Sequence, residues 1–263
     1  MLLCIAAAVA IAAAAPLIHL VVRVLTADPD RLAPVLFRPR TLELLSTSVV
    51  VTVATSAGAL ALGVAMAWVL TRVALPWGGV WRIAACLPLA VPSFVAAFGW
   101  MGVFPGLSGI GPLVGVLVLA TAPYVTVPTM AAFVRADRAV TDAAVSLGRP
   151  PRRAFLTVTL PQVLPAALAG TLLVALYALS DFGAPALLRV DTLTTGIYAQ
   201  FTGGIDRALS AALALVLAAL AVVCVVAEGA CRRRSARPAP GRTVPPRRRA
   251  LRPAATALLI AAL

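Results

Sequence analysis

Few residues of this chain have side chains that could do covalent or metal chemistry. Its 263 residues include one histidine, four cysteines and nine acidic residues, and all 22 basic residues are arginine. The cysteines show no CxxC spacing, and we find no Ser-His-Asp set, no HExxH pair and no phosphate-binding GxxxxGK[ST] pattern. We therefore expect no catalytic residue, no metal site, no cofactor bound by this chain and no enzymatic activity.

The informative residue types lie in one polar loop, residues 135–161, between two apolar runs. The sequence predicts a short helix from Asp142 to Leu147, with Thr141 as its N-cap and Asp142 where the helix dipole favours an anion. Gly148 would end this helix, and Pro151 would open the next. Seven residues of the loop stand out by type and spacing: Asp142, Ala143, Ala144, Gly148, Val158, Leu160 and Pro161.

The elements that flank this loop must position it, and they are long apolar runs. Apolar residues make up 62% of the chain and charged residues 12%, with a mean hydropathy of +1.01. A soluble domain has about 25% charged residues, and a disordered chain is poor in apolar ones, so both classes are excluded. The runs are also too long for the alternating strands of a membrane barrel.

The expected fold class is therefore all-α, a polytopic membrane bundle of six spans plus the start of a seventh. A helix of about 20 residues crosses the hydrocarbon core. The six predicted spans are residues 1–25, 44–70, 80–104, 110–134, 158–180 and 208–227.

The arginines predict the orientation of these spans in an inner (plasma) membrane. With the N-terminus in the cytoplasm, sixteen of the 22 arginines lie on the cytoplasmic side, and six of the nine acids lie outside. This agrees with the positive-inside rule and makes the loop 135–161 cytoplasmic. Topology and lipid head groups account for the net charge of +13, so no nucleic-acid partner is expected.

Beyond the membrane domain, residues 1–231, the chain changes composition. Residues 232–252 are rich in proline and arginine, which excludes a long helix and favours a flexible cytoplasmic linker near anionic lipid. A regulatory contact is the alternative. Residues 253–263 read as the start of a further span, so the chain is expected to be truncated.

The spacing in the loop resembles the signature of binding-protein-dependent ABC importer permeases. In that family Glu-Ala-Ala is followed by three residues, Gly, nine residues, Ile, one residue and Leu-Pro. The present loop keeps every interval, with Asp142 in place of Glu and Val158 in place of Ile. An amphipathic interfacial helix with the same spacing by chance is the alternative.

The resemblance implies a coupling helix, which docks on a separate cytoplasmic ATPase dimer. ATP and magnesium then belong to that partner. Arg149, Arg152 and Arg153 would form a polar rim of the docking surface. The other partners implied are an extracytoplasmic solute-binding protein, membrane lipid and a second permease half, fused or separate.

Residues 179–215 are similar to the corresponding segment of iron(III)-type permeases. That resemblance implies iron(III) as the favoured solute, with 2-aminoethylphosphonate, thiamine or another small solute as alternatives. Many such permeases fuse two membrane halves, and the present chain would be the first half.

A translocation path is predicted near the end of the fifth span. Asp181 is the best solute-contacting candidate, because an ionisable residue within a span is by default a candidate for a functional site. Tyr177 and Ser180, a turn away on the same helix face, are the other two candidates. Asp181 could instead cap a helix at the external mouth. Prolines such as Pro88 and Pro92 either break the helix, so that backbone carbonyl groups face a pore, or only kink it.

Other classes remain open at this stage. A secondary transporter needs ionisable groups within its spans, and the runs offer almost none besides Asp181. A truncated membrane anchor without transport activity is a further alternative.

Overall fold

The computed structural model describes residues 2–26, 38–73, 76–136, 138–203 and 207–235, and within them every regular element is helical. In chain order the helices are α1 (Leu2–Leu25), α2 (Pro39–Arg72), α3 (Gly78–Cys86, continued by a 3₁₀ turn at Leu87–Ala90), α4 (Ser93–Val103), α5 (Ile110–Arg135), α6 (Arg138–Ser146), α7 (Pro151–Ser180), α8 (Gly183–Leu187), α9 (Leu193–Thr202) and α10 (Arg207–Ser235).

The all-α membrane architecture is confirmed. The predicted number of six spans is not. Among the described residues, four helices are long and apolar enough to cross a membrane: Pro39–Arg72, Ile110–Arg135, Pro151–Ser180 and Leu209–Cys231. The bent pair α3–α4 makes a fifth if it counts as one span. The first predicted span coincides with α1, in which the stretch Ala14–Leu25 is a shorter apolar helix, so that span stays a prediction.

Three helices, α2, α5 and α7, form the centre of the bundle, and glycines let them approach closely. A Cβ at Gly58 would lie 2.6 Å from a methyl group of Val118, and one at Gly63 would lie 2.6 Å from Val125 Cβ, so α2 and α5 run parallel. A Cβ at Gly170 of α7 would lie 2.4 Å from the Tyr124 carbonyl oxygen. Small residues at such contacts are the usual means of packing helices in lipid.

The third predicted span, residues 80–104, is not one straight helix. The pair Gly78–Ala90 and Ser93–Val103 is bent by 100°. Pro88 and Pro92 flank the break, where they cannot donate backbone hydrogen bonds. By contrast, α5 continues as one helix through Pro123 and Pro128. The same residue type therefore breaks one apolar run and leaves the other intact.

The last described helix extends past the predicted membrane domain. α10 runs to Ser235, four residues into the segment expected to be a linker, because the first proline of that segment comes only at residue 238. The rest of the predicted linker, residues 236–252, and the predicted further span, residues 253–263, lie outside the described residues.

Candidate functional site

The polar loop forms a helical hairpin, but its first helix starts earlier than predicted. α6 begins at Arg138, so Thr141 is a helical residue and not the N-cap. Its hydroxyl oxygen lies 3.1 Å from that of Thr159, eighteen residues further along the chain. This bond ties α6 to α7, and it replaces the capping role that local sequence suggested for Thr141.

The turn between the two helices has the geometry that the sequence predicts. Gly148 has φ +87°, a left-handed conformation that costs a residue with a Cβ about 1–2 kcal/mol. Its N–H donates to Val145 O at 2.9 Å, and Arg149 N–H donates to Ala144 O at 3.1 Å. This pair of bonds is the Schellman motif, which satisfies the last carbonyls of a helix. Pro151 then opens α7, as predicted.

The start of α7 contains a π-helical stretch, Phe155–Thr159, which the sequence analysis did not predict. Pro161 follows it, and a proline clashes with the carbonyl four residues earlier, here that of Thr157. Widening the helix at that carbonyl relieves the clash. The Gln162 side chain donates to Val158 O at 3.0 Å, so one carbonyl of the wide turn is bonded by a side chain.

The structure divides the seven signature residues between two places. Asp142, Ala143 and Gly148 are exposed on the hairpin, with Ala144 half-buried beside them. Val158, Leu160 and Pro161 are half-buried at its base, where Leu160 packs against a cluster that includes Phe133. The first group is accessible to a partner, and the second anchors the hairpin in the bundle.

The most exposed apolar side chain among the described hairpin residues was missed by sequence reasoning. Leu147 is 86% exposed at the C-terminal end of α6. A leucine directly before a helix-ending glycine is the signal that could have identified it. Its position beside Ala143 and Gly148 makes the hairpin tip partly apolar, as expected of a docking surface.

The three predicted rim arginines do not share one surface. Arg149 and Arg153 line a cavity of about 510 Å³ at the hairpin turn, together with Leu147, Gly148 and Thr157. Arg149 Nη1 donates to Thr157 Oγ1 at 3.4 Å. Arg152 instead lines a separate groove between α2 and α7.

The predicted path residues lie near the bend between α3 and α4, but they do not face one space. Tyr177 stacks obliquely on Tyr124, with ring centroids 6.0 Å apart, and both line a cavity of about 120 Å³ whose other walls include Pro88 and Pro92. Ser180 is exposed, and its hydroxyl donates to Tyr177 O at 3.0 Å.

Asp181, just beyond the last residue of α7, joins three elements at this bend. Ser93 Oγ, in the first turn of α4, donates to Asp181 Oδ1 at 2.7 Å. Thr194 Oγ1 of α9 donates to the Asp181 carbonyl at 2.9 Å. Burial raises the pKa of the Asp181 carboxyl, and the hydrogen bond from Ser93 opposes that rise. Backbone N–H groups of Gly183 and Ala184, the first residues of α8, oppose it as well, as expected of a carboxyl at the N-terminal end of a helix.

A metal site in a protein needs several His, Cys, Asp or Glu side chains close together. In the part of the chain that the structure describes, no three His, Cys, Asp or Glu side chains come close enough to hold a metal ion. Asp181 therefore stands as a single carboxylate, bonded by the Ser93 hydroxyl and by backbone N–H groups at the start of α8.

Residues 59–236 match the family described as "Binding-protein-dependent transport system inner membrane component". The matched range contains both the hairpin and the bend at Asp181.

Two curated relatives are similar in sequence. The chain is 31% identical over 213 residues to the Fe(3+)-transport system permease protein FbpB 2 of Haemophilus influenzae, covering 81% of this chain and 42% of that relative. It is 26% identical over 159 residues to the molybdate/tungstate transport system permease protein WtpB of Thermococcus kodakarensis, covering 60% of this chain and 64% of the relative. The chain thus spans less than two thirds of either relative.

The fold also matches solved structures. A bacterial alginate ABC transporter in complex with an alginate pentasaccharide-bound periplasmic protein superposes with a TM-score of 0.67 at 14% identity, covering 83% of this chain and 88% of that one. The methionine transporter MetNI in an inward-facing conformation gives a TM-score of 0.61 at 16% identity, covering 76% of this chain and 100% of that one.

Proposed function

Since the chain belongs to the family of inner membrane components of binding-protein-dependent transport systems, we propose that it is the permease subunit of an ATP-driven importer. In this proposal it moves a small solute across the inner membrane and hydrolyses no ATP itself. A separate cytoplasmic ATPase dimer binds ATP and magnesium. An extracytoplasmic binding protein delivers the solute, and a second permease half, fused or separate, completes the pathway.

The observation that carries the proposal is the division of the hairpin into an exposed tip and a half-buried base. The tip offers Asp142, Ala143 and Leu147 to a partner. The base packs through Leu160 against Phe133 and Ala67, which belong to α5 and α2. A movement of the ATPase against the tip would therefore be transmitted to the central helices, as expected of a rigid element coupling two sites.

Iron(III) is the solute that we favour. The support is the identity to the Haemophilus iron permease over 81% of this chain. Tyr177 and Ser180 join Asp181 as proposed path residues. Thiamine, 2-aminoethylphosphonate and molybdate or tungstate are the alternatives to be tested.

A substitution at the turn tests the coupling role. We expect Gly148→Leu to lower ATP-driven uptake at least tenfold, because a leucine at φ +87° is strained and distorts the docking tip. Gly106→Leu is the matched control, since Gly106 has φ +88° and open space around it, and it lies in the turn before α5, at the opposite end of the bundle. Uptake is measured in cells, and ATPase capture by co-purification.

The outcomes separate the parts of the proposal. Loss of uptake and of ATPase capture in Gly148→Leu, with capture retained in Gly106→Leu, supports docking at the hairpin. Normal uptake in Gly148→Leu contradicts it. Uptake that continues after ATP depletion but stops when ion gradients collapse would identify a secondary transporter. Competition of ⁵⁵Fe uptake by the other solutes then tests the solute assignment.

A further inference from the structure

An apolar groove runs between α2 and α7 beside the hairpin base. It has a volume of about 830 Å³, and its walls include Ala61, Ala65 and Trp68 of α2 and Phe155 and Leu156 of α7. The rings of Trp68 and Phe155, which both line it, meet edge to face with centroids 6.5 Å apart. Trp68 is 42% exposed and Leu156 58% exposed, so no described part of the chain covers the groove.

One charged residue stands at the groove, and it is basic. Arg152 lines it directly after Pro151, at the N-terminal end of α7. None of the lining residues is acidic, and no ion pair to Arg152 is formed within the described residues. The neighbouring Arg153 lines the hairpin cavity instead. Arg152 therefore brings an unneutralised positive charge to an apolar surface.

The position of the groove matches the level of lipid head groups. Arg72 at the end of α2 and Arg135 at the end of α5 lie at the same end of the central helices as Arg152. Trp68 and Trp81 lie near this end, and Trp81 Nε1 donates to Pro76 O at 3.1 Å. Tryptophan and arginine together are typical of the boundary between hydrocarbon and head groups.

We propose that the groove binds an anionic phospholipid of the membrane leaflet on the hairpin side. One acyl chain lies along Ala61, Ala65 and Trp68, and the phosphate pairs with the Arg152 guanidinium. The charge selects the anionic lipid, because a basic group at the membrane surface favours anionic head groups about fivefold. The ligand would thus hold together α2 and the segment of α7 that anchors the hairpin.

The test uses the full chain in nanodiscs of equal parts phosphatidylglycerol and phosphatidylcholine, with retained lipid identified by native mass spectrometry. We expect the wild-type chain to retain phosphatidylglycerol preferentially and Arg152→Gln to lose about fivefold of that preference. Arg153→Gln is the matched control, with the same charge change one residue away. Arg152→Lys keeps the charge and is expected to keep the preference.

A second pair of variants tests the apolar part. Ala61→Phe fills the groove and should expel the lipid, whereas Ala84→Phe enlarges a side chain of a neighbouring apolar surface and should not. Equal loss in Arg152→Gln and Arg153→Gln would overturn the proposal in favour of general charge attraction. It would also be overturned if Ala61→Phe abolished self-association of the chain without changing retained lipid, since a second copy would then be the occupant.

Discussion

Val125 lies against two glycines from different helices, so three helices pack closely at this residue. Gly63 and Gly170 both face Val125. Gly63 lies in α2, which precedes α5 in the chain, and Gly170 lies in α7, which follows it. Val125 itself is fully buried. A side chain at either glycine would have to displace backbone or a branched side chain, neither of which can move freely.

We expect Gly170→Ala to lower the thermal stability of the purified chain. The new Cβ would lie 2.4 Å from the Tyr124 carbonyl oxygen and 2.8 Å from Val125 Cα, so α7 must shift away from α5. Overpacking of this kind costs about 1–3 kcal/mol. Thermal unfolding in detergent measures it. Gly115→Ala on α5 is the control, because a Cβ there meets nothing within 4 Å. Equal melting temperatures for both variants would contradict the packing argument.

At the residue scale, local signals were predictable and distant partners were not. The left-handed Gly148 and the helix-opening Pro151 follow from residue type alone. Thr141 looked equally suited to capping, but its hydroxyl meets Thr159 across the hairpin. Likewise, nothing in the sequence near Asp181 points to Ser93, which lies 88 residues earlier.

The hairpin of α6 and the first turns of α7 behaves as one element because both its ends are fixed. The Schellman motif fixes the turn, and the Thr141–Thr159 contact joins the two helices near the base. The π-helical stretch at Phe155–Thr159 lies where the hairpin meets the bundle. Such stretches are frequent at functional sites. This stretch could not be predicted from the sequence, because a proline after a predicted helix start is also compatible with a regular helix.

We expect Leu147→Asp to weaken capture of the proposed ATPase partner about tenfold, since burying a leucine side chain contributes about 1.5–3 kcal/mol. Leu147 is 86% exposed, so the free chain should keep its melting temperature. Co-purification at increasing ATPase concentration measures the effect. Ser108→Asp adds the same charge to an exposed position at the opposite end of the bundle and serves as the control. Undiminished capture by Leu147→Asp would exclude this residue from the interface.

For the whole molecule, composition alone predicted the class of fold. A chain with so many apolar residues and so few charged ones is typical of a helical membrane protein and not of a soluble domain. Composition predicted the long spans well and the bent one poorly. Residues 80–104 and 110–134 are equally apolar, and each contains prolines, yet only the first is broken, at Pro88–Pro92. The two runs differ in packing: α5 packs against α2 and α7, whereas much of α4 is exposed.

The orientation of the bundle gives a prediction at the same scale. The four native cysteines are first replaced, and single cysteines are introduced as Ser146→Cys on the hairpin and Ser108→Cys at the other end, both exposed positions. We expect a membrane-impermeant maleimide to label the Ser108→Cys variant in intact spheroplasts. The Ser146→Cys variant should be labelled only after permeabilisation, because the arginine distribution predicts that the hairpin is cytoplasmic. The reverse pattern would place the hairpin outside and remove the basis for ATPase docking.

The glycine contacts around Val125 also have a consequence for biogenesis. α2 and α5 are parallel, so they cannot pair as a simple hairpin, and the third partner, Gly170, is made about a hundred residues after Gly63. At ribosomal rates of about 5–20 residues per second, this interval lasts roughly 5–20 s. During that time the nascent chain has inserted helices whose small-residue faces have no final partner. The central contact is completed only when α7 enters the bilayer, because Gly170 belongs to α7.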